Sequence, residues 1–137
     1  MKLALSIAGV LAAYGSLLCS ETYAVAADLD HGQQVYQECK GCHALRENGI
    51  GPRHCWVVGR AAAKVPDFNY SPAMKNSHLV WDAKTLDQFL TAPLAFVLET
   101  NMGYAGLDDP KDREDLIAYL TKATSDPELC DGIDKLR

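Results

Sequence analysis

With 137 residues, five cysteines and a net charge of −5 at pH 7, the chain is long enough for one modest domain, and its acidic balance argues against nucleic acid or an anionic membrane surface as partner. A core of that size commonly leans on a covalent staple, a metal or a bound prosthetic group, so the cysteines carry weight.

Residues 1–26 read as an export signal. Lys2 gives the positive start, residues 3–18 are nearly all apolar or small, and Ala24-Val25-Ala26 is an A-x-A pattern that places cleavage near Ala26 or Ala27. Residues 27–137 then form a single domain, with a short tail from about 125, in an oxidising compartment, the periplasm. An uncleaved signal would instead leave the domain anchored to a membrane, although the apolar stretch is short for a spanning helix. Leu18 before Cys19 is too bulky for a lipoprotein cleavage site.

A first helix is predicted in DLDHGQQVYQECKGCH, with Asp28 or Asp30 as cap and Val35, Cys39 and Cys42 on one face. Residues 46–81 are rich in Gly, Pro, Asn and Ser, too irregular for long helices and long enough to demand a reason, such as a large buried ligand. A second, shorter helix follows in WDAKTLDQFLTAP, capped by Asp82, striped by Leu86, Phe89 and Leu90 and stopped by Pro93. The strongest signal is DDPKDREDLIAYLTKA. Asp109 caps, Pro110 suits the first helical position, and Leu116, Tyr119, Leu120 and Ala123 share the side that needs the first helix as partner. From Leu107 onward nine acidic residues face five basic ones, as expected of a solvated helix face and polar tail.

The stretch CKGCH at 39–43 admits three chemistries. Structural zinc needs a second close pair of ligands, whereas Cys55 and Cys130 stand alone. A thioredoxin-like dithiol needs a strand before its helix and has no use for the histidine. Covalent haem attachment uses every residue: two thioethers from Cys39 and Cys42, and the His43 imidazole on the iron. For the sixth ligand the candidates are Met74, Met102, His31, His54 and His78. Met102, in a loop closed by Gly103 and Gly106 between two helices, is placed ahead of Met74, and the three histidines read most simply as surface or loop residues.

YQECKGCH, Gly51-Pro52, VVGR at 57–60, FNYS at 68–71, NMGYAG and REDLIAYLTKAT together resemble class I cytochrome c, the mitochondrial type and its soluble bacterial relatives, from about Gly32 to Thr124. The resemblance implies an all-α fold of three to five helices around one haem c, with the first and last helices crossing. It implies His43 as proximal and Met102 as distal ligand, Pro52 backing the imidazole with its carbonyl, Arg60, Tyr70 and Trp81 near the propionates, and Thr100 bonding in the distal loop.

With both axial positions filled by protein, the function implied is one-electron transfer, without a small-molecule substrate, by a diffusible and monomeric carrier. Its partners would be redox proteins: a membrane cytochrome complex, a dehydrogenase or an oxidase. Leu94, Ala95 and Asn101 replace family lysines, which weakens steering toward acidic partners, and Met74 stands where an asparagine is common. Leu98 and Glu99 replace a Pro and a Gly, which would loosen the methionine loop. A labile Met102 would give a competing function, a haem peroxidase or gas sensor, and a third possibility is a fixed subunit of a larger complex. Cys55 and Cys130 are the one pair able to bridge, the alternative being two isolated thiols.

Overall fold

The computed structural model describes residues 26–135; apart from Ala26, the leader lies outside the described residues. Among the described residues there are five α-helices: α1 (Leu29–Val35), α2 (Pro72–Asn76), α3 (Ala83–Thr91), α4 (Pro93–Phe96) and α5 (Pro110–Ala123). Among the described residues the extended chain amounts to one isolated bridge, Ala61 with Val80, so the fold is all-α.

Asp28 starts α1 as read from sequence, its carboxylate accepting from the backbone N–H groups of Asp30 and His31, both at 3.0 Å. The helix ends sooner than expected. Tyr36–Glu38 form a single 3-10 turn, and Cys39 and Cys42 follow in tight turns whose N–H groups donate to Tyr36 and Cys39 carbonyls. The tighter winding separates the cysteine pair from the helix proper and re-aims both side chains.

In α5 the Asp109 cap and Pro110 sit where predicted, and Leu116, Ile117, Leu120 and Ala123 are buried. Helix α1 crosses α5 at Gly32, where an added Cβ would lie 2.6 Å from the Asp115 carbonyl carbon and 2.9 Å from Tyr119 Cβ. Only glycine permits that approach. Beside the crossing the buried Asp115 carboxylate accepts from the Asp28 N–H at 2.7 Å, from His31 Nδ1 at 2.9 Å and from Lys111 Nζ.

Helix α3 carries the predicted Asp82 cap, completed as a capping box by Thr85, and buries Leu86, Phe89 and Leu90. Pro93 ends α3 but also opens α4, since proline favours a first helical turn as much as it forbids an interior one. Arg113 fastens α5 to α3, its Nε donating to Asp87 at 2.7 Å and its Nη1 to the Leu107 carbonyl at 2.7 Å. Residues 46–81, irregular as expected, hold only the five-residue α2, capped by Ser71.

The polar cluster at the α1–α5 crossing gives a pH prediction. Its hydrogen bond to Asp115, helped by the charges of Asp112 and Asp28, raises the His31 pKa, while Lys111 and then His31 lower that of Asp115 to about 2. The His31 contribution is complete below the unfolded imidazole value of about 6.5 and fades as pH rises through the higher folded value. The Asp115 contribution is complete above its unfolded value of about 4 and fades as pH falls toward 2. The melting temperature should therefore peak between those limits. His31→Gln should flatten the alkaline slope and leave most of the acid slope in place; a parallel pH profile would remove His31 from the cluster.

Candidate functional site

The loop after the 3-10 turn folds back on itself. Gly51 donates to the Cys42 carbonyl at 2.8 Å, His54 to Ala44 at 3.0 Å and Cys55 to Leu45 at 2.7 Å, so residues 42–45 and 51–55 run side by side. The His43 Nδ1–H donates to the Pro52 carbonyl at 2.8 Å. A carbonyl can only accept, so the proton is on Nδ1 and Nε2 is the nitrogen with a free lone pair. Burial lowers the His43 pKa, the Pro52 bond acting against it, and both effects suit a neutral ring. Gly51 packs under this imidazole: an added Cβ would stand 2.5 Å from each ring nitrogen.

His43 lines a cavity of ≈ 420 Å³ enclosed by α3, α5 and the connecting loops. Every site residue predicted from sequence also borders it: Cys39, Cys42, Pro52, Arg60, Tyr70, Trp81, Thr100 and Met102. Cys39 is half-buried and Cys42 exposed, and neither is in a disulfide; burial pushes the Cys39 thiol up to about 11. The Thr100 hydroxyl accepts from the Met102 backbone N–H at 3.3 Å and so braces the loop that presents the thioether. Met74, the second methionine, is buried in the middle of α2 and lines the same space.

Arg60 is 3% exposed, and its guanidinium donates to the carbonyls of Cys55 (2.8 Å) and Arg53 (3.1 Å) with no carboxylate in an ion pair among the described residues. Burial lowers its pKa to about 10, leaving it a cation at neutral pH. Trp81 brackets it from the backbone: the Gly59 N–H donates to the Trp81 carbonyl at 2.8 Å, and the Trp81 N–H to the Arg60 carbonyl at 2.9 Å. The Tyr70 ring meets Phe68 edge-on at 4.7 Å.

These residues fit a haem. The walls are apolar and aromatic, a free imidazole nitrogen and a thioether border one space, and two thiols stand at its edge. Arg60, a buried cation on the lining with no carboxylate partner among the described residues, matches an anionic carboxylate on the ligand.

His54 is a loop residue, as expected, but a half-buried one. Its ring is stacked on His43 at 4.2 Å between centroids and 20° between planes, and its Nδ1 is 3.1 Å from the Tyr36 hydroxyl. Burial, then the neighbouring His43 and Arg60, hold its pKa well below the usual imidazole range. A residue on the His43 side cannot serve as a ligand opposite it. His78 is exposed, and His31 belongs to the α1–α5 cluster.

Cys55 and Cys130 form a disulfide, each sulfur-bearing residue 1% exposed. The tail beyond α5 folds back over the loop: Trp56 Nε1 donates to the Ile133 carbonyl at 2.8 Å, and Arg46 donates to Leu129 (3.0 Å) and Asp131 (2.7 Å). In the methionine loop Glu99 adopts φ 66°, the left-handed region that suits the family's glycine, at a cost of about 1–3 kcal/mol.

The sequence model of the cytochrome c family matches residues 29–124. A cytochrome c2 of Rhodomicrobium vannielii is 46% identical over 108 residues, covering 77% of this chain and 86% of that protein. A cytochrome c2 of Rhodoblastus acidophilus is 39% identical over 104 residues, covering 74% and 97%. Among solved structures, cytochrome cH from Methylobacterium extorquens superposes with a TM-score of 0.68 at 38% identity, covering 69% of this chain and 98% of that one.

Proposed function

The chain belongs to the class I cytochrome c family, and from that premise we propose that it is an exported, monomeric, monohaem carrier of single electrons between redox proteins in the periplasm. One observation carries the reading: the free Nε2 of His43, the Met102 thioether and the Cys39 and Cys42 thiols all border one apolar cavity. Bound haem c would supply the one-electron Fe(III)/Fe(II) couple.

The chain's residues define what that couple does. Cys39 and Cys42 would hold the group by thioethers, and His43 Nε2 and Met102 Sδ would hold its iron, so that protein side chains and not a substrate would fill the metal's remaining positions. The Pro52 carbonyl fixes the His43 tautomer and keeps the ring basic, and Thr100 holds the Met102 backbone. Arg60, on the same lining as Tyr70 and Trp81, would offset the negative charge of the group's carboxylates. The soft thioether and the apolar walls would both favour the less charged, reduced state and so raise the potential.

Partners are membrane cytochrome complexes, dehydrogenases or oxidases. The exposed Leu94 and Leu98 and the neutral Asn101 around the methionine loop supply little charge for steering.

A pyridine haemochrome spectrum of washed, exported protein tests attachment, and colourless protein would end the proposal. Met102→Ala should abolish the weak far-red absorption of iron–sulfur ligation. An unchanged band would reject Met102 and turn attention to Met74.

A second reading, a haem that binds gases or turns over peroxide when Met102 releases, draws on the left-handed Glu99 and the 72% exposed Leu98 in the methionine loop. Rapid carbon monoxide binding by the reduced protein at neutral pH would favour it, and inertness favours the carrier.

A further inference from the structure

We propose that His54 is a positioning residue for the His43 imidazole: its ring fixes the plane of the ligand ring by stacking, and its hydrogen bond with Tyr36 ties that plane to the α1–α5 junction. The inference rests on the assignment of His43 as an iron ligand.

Three groups confine the His43 ring. The Pro52 carbonyl holds Nδ1 at 2.8 Å, Gly51 closes against the ring, and His54 covers one face at 4.2 Å with only 20° between planes. The carbonyl bond alone leaves the ring free to swing about the line joining Cβ to the bonded nitrogen. A parallel plate against one face removes that freedom, which a flexible aliphatic side chain would do less sharply.

The plate is itself fixed. Its backbone N–H donates to the Ala44 carbonyl at 3.0 Å, and its Nδ1 meets the Tyr36 hydroxyl at 3.1 Å. Tyr36 is 1% exposed and packs its ring on Tyr119 of α5 at 5.4 Å. A contiguous line therefore runs from α5 through Tyr36 and His54 to His43. The plane of an axial imidazole sets which iron d orbitals it overlaps by π interaction, so rotating it changes the electronic anisotropy of the ferric centre even when both ligands stay bound.

The test compares ferric holoprotein carrying His54→Leu, His54→Phe or Tyr36→Phe with the parent, by electron paramagnetic resonance, by the spread of hyperfine-shifted haem methyl resonances in proton NMR, and by the midpoint potential. His54→Leu, which removes both plate and anchor, should shift the g-values, redistribute the methyl resonances and move the potential, with the far-red band retained. His54→Phe keeps a flat ring without the hydroxyl bond and should give a smaller shift, matched in direction by Tyr36→Phe.

A His54→Leu protein that melts lower but keeps the parent g-values, methyl spread and potential would reduce His54 to core packing and overturn the proposal. Should His54→Leu fail to yield folded holoprotein, Tyr36→Phe decides, because it deletes a single oxygen; parental spectra there overturn the proposal equally. Failure of the underlying ligand assignment looks different, since the parent itself would then lack a low-spin, histidine-ligated ferric spectrum.

Discussion

Gly51→Ala is expected to lower the melting temperature of the holoprotein and to weaken ligation by His43, although one methyl group is the only change. Gly51 is buried and its φ is not in the left-handed region, so alanine suits the backbone and the whole cost is steric. The new Cβ would stand 2.5 Å from both imidazole nitrogens, far inside contact distance. The backbone cannot retreat easily, because the Gly51 N–H is held by the Cys42 carbonyl at 2.8 Å and its own carbonyl accepts from Gly49 at 2.9 Å.

The ring must therefore move. Doing so strains or breaks the 2.8 Å bond to Pro52 and disturbs the stack on His54. Overpacking of this kind costs about 1–3 kcal/mol and the lost hydrogen bond about 0.5–1.5 kcal/mol more. At roughly 4 °C per kcal/mol for a domain of this size, the shift in melting temperature is large. Gly41→Ala is the control, since a Cβ there meets nothing within 4 Å. Parental melting and an unchanged ferric ligand spectrum in Gly51→Ala would show that the loop yields and that Gly51 does not shape the histidine pocket.

The glycine illustrates what the sequence discloses and what it withholds. Helix α5 was legible because its signals are local: Asp109 and Pro110 mark the start, and apolar residues recur on one side. Helix α3 was legible for the same reason, but Pro93 was ambiguous, since the residue that stops one helix is well shaped to begin another. The short α2 depends on a single Ser71 cap in a segment whose Pro and Asn content reads as loop. The cysteine motif and its histidine were legible because their spacing is itself the chemistry.

His54 was not legible, because a lone histidine in a loop carries no mark of burial; its place is set by a ring eleven residues earlier and a hydroxyl eighteen residues earlier. The His31 and Asp115 pair is 84 residues apart in sequence and appears only once α1 crosses α5. Choosing between the two methionines was likewise a tertiary question, since both reach the cavity and each has its backbone N–H on a hydroxyl, Met74 on Ser71 at 3.1 Å and Met102 on Thr100 at 3.3 Å.

Removing the disulfide should have the largest effect on stability of any change outside the cavity. The bridge joins residues 75 apart, and closing so long a loop restrains the unfolded chain, with losses on removal of about 2–5 kcal/mol. Cys55→Ala with Cys130→Ser is the appropriate variant, because Cys130 Sγ is 3.4 Å from the Thr124 carbonyl and a serine hydroxyl there can donate to it. Intact mass with and without reductant must first show the two-proton difference that a bridge requires. The tail keeps other contacts, from Trp56 to Ile133, from Arg46 to Leu129 and Asp131, and from the Lys135 ammonium lying 4.6 Å from the Trp56 ring centroid. Each of these is a single bond or pairing worth about 1 kcal/mol. A variant that melts far below the parent yet keeps its far-red band would place the bridge's contribution in the unfolded chain and leave the ligand set intact. One that melts with the parent would mean that these tail contacts, and not the covalent link, hold residues 126–135 against the loop that carries His54.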